Sequence, residues 1–103
     1  MWVMVLFDLP VKSKRQQRIA ALFRNSLLED GFEMCQFSVY MKFCGTREKT
    51  MSVIKKVKSY IPEEGKVTII TFTDKQFGNI LHYENKKKQT AKKYEQIIFD
   101  FED

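Results

Sequence analysis

The hydrophobic rhythm changes several times along the chain, and each change predicts an element. Residues 2 to 8, Trp-Val-Met-Val-Leu-Phe-Asp, form an apolar run that stops at Asp8. Such a run is too short for a globular helix and predicts a strand buried on both faces, hence a central one. Leu9-Pro10 ends it, because proline donates no ladder hydrogen bond and restricts the residue before it. From Ser13, an N-cap candidate, Ile19, Leu22, Phe23 and Leu27 recur at helical spacing. Lys14, Arg15, Arg18 and Arg24 fall mostly outside that stripe, so the helix is amphipathic and packs on a sheet, with Gly31 as its left-handed C-cap candidate.

Residues 32 to 43 return to strand character, with aromatics and valine and neither Gly nor Pro inside. This length suits one long bent strand or two short ones; no ordinary two-residue turn pair marks a hairpin, so any break falls near Gln36 to Ser38. Gly45-Thr46 introduces a second helix with Met51, Ile54, Val57 and Ile61 on one face, and Pro62-Glu63-Glu64-Gly65 stops it. Val67 to Thr73 is β-branched and predicts a second core strand, followed by a capped turn or single helical turn at Asp74 to Phe77 and a short strand within Asn79 to Glu84. Lys86, Lys87, Lys88, Lys92 and Lys93 crowd a stretch with no large apolar group, expected to be solvated and mobile. Beyond it, Tyr94, Ile97, Ile98, Phe99 and Phe101 are apolar again and suggest docking onto this chain's sheet or a partner's. The expected division is a domain over 1–85 and a basic linker with a docking C-terminal strand over 86–103.

The order strand, helix, strand region, helix, strand is that of an α+β, ferredoxin-like sandwich, two helices covering one face of an antiparallel sheet. Its other face is expected to be bare and apolar, and pairing two sheets face to face in a homodimer covers it. With 103 residues and 12.3 kDa, only one domain fits. A chain of this size buries roughly 60 to 70% of its unfolded surface, enough for a thin core but not for an elaborate one-chain active site. A net charge of +5 and a pI near 9.3 favour a polyanionic partner. Cys35 and Cys44 have no second pair and no nearby histidine, so neither a zinc site nor a redox dithiol is suggested and both read as ordinary reduced residues. The apolar start lacks a basic leader and cleavage site and is too short to span a bilayer, so a cytoplasmic protein with no membrane partner is expected.

Asp8 is the most informative residue, a carboxylate at the rigid end of a buried strand beside a proline turn. It either caps that turn or pairs with Arg15 or Arg18, or it serves as a ligand for Mg2+ or Mn2+. Hard cations take oxygen ligands, and one carboxylate binds weakly, so a two-fold axis between two copies of Asp8 would supply the second. A shared metal could then activate water against a phosphodiester. His82 is the only histidine and has a surface or structural place; no Ser-His-Asp series, HExxH pair or Walker loop is present. The basic side chains fall on the first helix (Lys14, Arg15, Arg18), on the second helix, and at Lys86, Lys87, Lys88, Lys92 and Lys93. Each group alone reads as a solvated face; doubled in a dimer, they form a symmetric surface for the backbone of double-stranded DNA.

The strand end Val5-Leu6-Phe7-Asp8-Leu9-Pro10, the basic helix, Gly31 and then Gln36-Phe37-Ser38-Val39-Tyr40 resemble the family of CRISPR-associated protein two, the small adaptation subunit. Thr71 to Phe77 is similar to the variant found in type II systems. The resemblance implies a ferredoxin-like homodimer whose C-terminal strands extend the partner's sheet, with Asp8 as the proposed magnesium ligand and Tyr40 near the same cleft. The family's basic position on the first helix corresponds to Arg15 or Arg18, and Met34 stands where some members carry arginine. Family members have been described as metal-dependent nucleases on RNA or double-stranded DNA. Their shared role is architectural: the dimer bridges dimers of the integrase subunit, CRISPR-associated protein one, and holds DNA to be inserted as a new spacer. The alternative it implies is a stand-alone magnesium-dependent endonuclease, including toxin-like ribonucleases.

Overall fold

The computed structural model describes residues 1–89, which form β1 (Trp2–Asp8), α1 (Lys14–Glu29), β2 (Glu33–Gln36), β3 (Val39–Phe43), α2 (Arg47–Lys58), β4 (Lys66–Phe72), α3 (Asp74–Gly78), β5 (His82–Glu84) and β6 (Lys87–Gln89). The expected docking strand after the lysine stretch, together with Lys92 and Lys93, lies outside the described residues. β1 is central, as its unbroken apolar run requires: the sheet order is β2-β3-β1-β4, and both neighbours of β1 run antiparallel to it. This order with α1 and α2 on one face is the ferredoxin-like sandwich. No helix among the described residues is long and apolar enough to cross a membrane.

Local chemistry sets the helix ends. The Gln16 N–H donates to Ser13 Oγ at 3.0 Å and the Ser13 N–H to Gln16 Oε1 at 3.0 Å, a reciprocal capping box that satisfies two otherwise orphaned donors. At the other end Gly31 takes φ +87°, and the N–H groups of Gly31 and Phe32 donate to the carbonyls of Leu28 and Leu27 at 3.1 and 3.0 Å. This is a Schellman stop, and its usual apolar contact is present because Leu27 and Phe32 share the buried core. Thr46 caps α2 by accepting from the Lys49 N–H, and Thr73 caps α3 in a second capping box with Gln76.

Alternation along β1 sends Val3, Val5 and Phe7 toward the helices, where Val3 and Val5 are buried with Phe23, Leu27, Phe32, Tyr40, Cys44 and Val57. The expected helix stripes need correction at Leu22 and Met51, which are 65% and 61% exposed. Ala20 and Thr50 take inner positions instead. The Thr50 hydroxyl can be buried because it donates to the Thr46 carbonyl at 2.8 Å.

The residues 32 to 43 form two strands. Phe37 and Ser38 make the turn with Ser38 at φ +61°, and an irregularity between Met34 and Gln36 absorbs the register shift. β4 is an edge strand of this sheet rather than a core strand: Val67 and Ile69 are half-buried on the helix-bearing face, Phe72 is half-buried against the Trp2 cluster on the other, and the remaining positions are exposed. The stretch expected to be irregular from Lys86 onward instead begins with a turn and the strand β6. Asn85 and Lys86 both have positive φ, +52° and +68°, the pair of values a tight I′ hairpin demands, and β5 and β6 pair across it.

The face of the sheet without α1 and α2 is not bare. α3 lays Phe77 on Trp2, ring centroids 4.1 Å apart and 3° from parallel, and Trp2, Cys35, Met41 and Phe77 are buried together. That cover lies at the Trp2 end. Ile70, paired with Met4, remains 43% exposed on the same face.

Candidate functional site

Asp8 closes β1 on the face away from α1 and α2, in register with Lys66 of β4, and both residues are exposed. Two turns fix its backbone. On one side the Phe7 N–H donates to the Ser38 carbonyl at 3.1 Å, which holds the Phe37-Ser38 turn against the strand end. On the other side Gly65, at φ +93°, approaches so closely that a Cβ there would lie 2.7 Å from the Asp8 carbonyl oxygen. Only glycine accepts both the left-handed backbone and that approach. The carboxylate therefore sits on a rigid sheet between two pinned turns.

Among the described residues Asp8 makes no ion pair with Arg15 or Arg18 and no side-chain hydrogen bond, and Ser13 rather than Asp8 caps α1. It is an uncommitted acceptor. Among the described residues no three His, Cys, Asp or Glu side chains come together as a ligand set, so Asp8 offers a divalent cation one carboxylate there. One monodentate carboxylate leaves a hard cation almost wholly to water.

Tyr40 is placed elsewhere. It pairs with Val5 in β3, so alternation turns it to the helix-bearing face, 3% exposed, with its ring 5.6 Å from that of Phe7. Burial pushes its hydroxyl above the usual phenol range, with Arg24 pulling the other way. The structure thus puts Asp8 and Tyr40 on opposite sides of the sheet, one in solvent and one in the core.

Lys14, Arg15 and Arg18 are all exposed on α1. Arg15 lines a cleft of about 310 Å³ with Pro10, Ile61, Glu63 and Glu64, between the segment that leaves Asp8 and the turn that leads to Gly65. Arg18 does not line that cleft; with Leu22 and Asn25 it borders a shallower hollow on the outer side of α1. Lys86, Lys87 and Lys88 are exposed on the β5–β6 hairpin, where His82 Nε2 lies 3.2 Å from Glu84 Oε1. Two neighbours of Asp8 carry no site expectation from the sequence: Gly65, read there as a turn residue, and Lys66. The signal for Lys66 was strand register, which a single sequence does not contain.

A second polar cluster lies where α1 ends. Asp30, with a side chain only 14% exposed, meets Lys56 Nζ at 3.0 Å and accepts from the Tyr60 hydroxyl at 2.8 Å. The Lys42 ammonium donates to the Asp30 backbone carbonyl. Burial would raise the Asp30 carboxyl, but Lys56, Tyr60 and Lys42 outweigh it and hold it below the ordinary carboxylate range. Tyr60 moves upward for the complementary reasons, burial and the Asp30 charge it serves.

Fold and site together define a class: a small ferredoxin-like domain with one free carboxylate at the end of its central first strand and basic side chains outside. The family model described as CRISPR associated protein Cas2 matches residues 1–80. Proteins named CRISPR-associated endoribonuclease Cas2 are similar over most of the chain. The one from Flavobacterium psychrophilum is 42% identical over 98 residues, covering 94% of this chain and 85% of its own. That from Paracidovorax avenae is 42% identical over 90% of this chain and 86% of its own, and that from Parvibaculum lavamentivorans 43% identical over 86% and 88%. The chain belongs to the CRISPR associated protein Cas2 family.

Proposed function

We propose that two copies of the chain pair through the open end of the helix-free sheet face and that the dimer is an adaptation scaffold. It bridges dimers of the CRISPR integrase subunit and holds the backbone of double-stranded DNA while a new spacer is inserted. The observation that carries this reading is the unequal cover of that face: α3 shields the Trp2 end, while Ile70, 43% exposed, stays open toward Asp8. Exposed apolar sheet beside a free carboxylate is tolerated in a monomer but is completed by a second copy. The exposed Lys14, Arg15, Arg18, Lys86, Lys87 and Lys88 supply phosphate contacts, doubled by symmetry and insensitive to base sequence.

A second reading, metal-dependent endoribonuclease, is favoured by the name of the relatives and by the uncommitted state of Asp8. Among the described residues one chain offers Mg2+ or Mn2+ a single carboxylate here, and a dimer that apposes two Asp8 carboxylates would provide a pair of hard ligands. A cation held there would supply stabilisation of charge developing on a phosphodiester. Asp8→Ala separates the readings. Scaffolding predicts that the variant still co-purifies with the integrase subunit and supports spacer acquisition; loss of acquisition from an assembled complex makes the carboxylate part of the function.

A further inference from the structure

Phe37 is 88% exposed, at the first position of the β2–β3 turn. Folding gives no reason for it. Tight turns select Gly, Asn, Asp and Ser, and the residue that takes the left-handed backbone here is Ser38, not Phe37. The ring belongs to neither buried cluster, and among the described residues it makes no ring contact. Yet its position is fixed. The Ser38 carbonyl accepts from the Phe7 N–H at 3.1 Å, so the turn is tied to the backbone immediately before Asp8. The same end of the sheet carries exposed Lys66, in register with Asp8, and exposed Lys12 in the segment after Pro10. An open aromatic ring, a carboxylate and ammonium groups thus share one end of a rigid sheet.

We infer that Phe37 is a stacking platform for an unpaired nucleobase of a single-stranded nucleic acid whose backbone passes the Asp8 end of the sheet. The inference rests on the nucleic-acid-binding reading above and adds a residue and a strand preference to it. An aromatic face stacks on any base, but only on one not already stacked within a duplex. The lysines then meet phosphates, while Phe37 holds the base. This makes the Asp8 end distinct from the helix exteriors, which serve backbone contacts alone.

The test uses the full chain and three short oligonucleotides of matched sequence, a single-stranded RNA, the same strand as DNA, and the blunt duplex, each of the single strands also with one 2-aminopurine. Stacking predicts quenching of 2-aminopurine by the wild type. Phe37→Ala should abolish that quenching and weaken single-strand binding about tenfold, with duplex binding unchanged. Phe37→Trp should retain both, and Phe37→Leu, apolar but without a π-face, should behave like Phe37→Ala. If RNA and DNA strands respond alike, the platform reads the base alone; a response to RNA only assigns the site to RNA.

Unchanged single-strand binding by Phe37→Ala overturns the inference while leaving backbone binding intact. A halved particle mass for Phe37→Ala also overturns it, by placing the ring in a protein interface. Failure of the wild type to bind any of the three overturns both this inference and the reading on which it rests.

Discussion

The two faces of the sheet are built to different standards. The helix-bearing face is closed by its own chain: Phe23, Leu27, Phe32 and Val57 are almost fully buried against Val3 and Val5. The opposite face is closed only at one end, where Trp2 and Phe77 stack, and opens toward Asp8 through exposed Ile70. The first face therefore carries stability. The second is left partly open, and the Asp8 carboxylate lies on that side.

Substitutions should separate the faces. The largest effect is expected from Phe23→Ala, which removes a ring from the closed face and leaves a cavity there; it should cost about 3–5 kcal/mol and prevent stable folding, read by urea denaturation. Phe77→Ala on the opposite face should cost less, ~2–3 kcal/mol, because one side of that cluster already borders solvent. Trp2 is the only tryptophan, so its emission should shift to longer wavelength as its cover is lost, while the far-ultraviolet circular dichroism is kept. An equal cost at both sites would erase the contrast.

A smaller effect is expected at the seam between α1 and α2. Tyr60→Phe removes one donor to Asp30 and should cost about 1 kcal/mol. Because the folded state lowers the Asp30 carboxyl, its stabilisation is fully present above the unfolded value of about 3.9 and is lost as pH falls through the folded one. Asp30→Asn should flatten the stability–pH curve in that acid range and leave the curve above pH 5 parallel to that of the wild type. The smallest effect belongs to Asp8→Ala. An exposed carboxylate without ion pair or cap should change monomer stability by no more than about 0.5 kcal/mol; a larger loss would make Asp8 structural.

Much of this architecture could be read from the chain because its signals were local. The unbroken run ending at Asp8 predicts a central strand, Ser13 and Gly31 mark both ends of α1, and Asp74 to Phe77 predicts a capped turn or a single helical turn, of which the structure has the second. The misplacements share a cause, dependence on distant neighbours. Leu22 and Met51 matched the helical period, but which side of a helix meets the sheet depends on how Ala20 and Thr50 dock. β4 has the composition of a core strand, and only the sheet order makes it an edge. The β2–β3 hairpin was ambiguous because Phe37-Ser38 is not a customary turn pair. At the site, Asp8 was legible from its strand-end position, whereas Lys66 and Gly65 join it only through strand register. Tyr40 shares a sequence motif with the site region but faces the core, since one step along a strand reverses a side chain's direction.

The account's central claim is that the helix-free face is completed by a second copy. Sedimentation equilibrium of the full chain at micromolar concentration, alone and as Ile70→Glu, tests it most directly. The wild type should sediment at twice the 12.3 kDa chain mass, and Ile70→Glu at the chain mass with its circular dichroism intact. A wild type that sediments as a single 12.3 kDa species would contradict the claim, as would an Ile70→Glu variant that keeps the doubled mass.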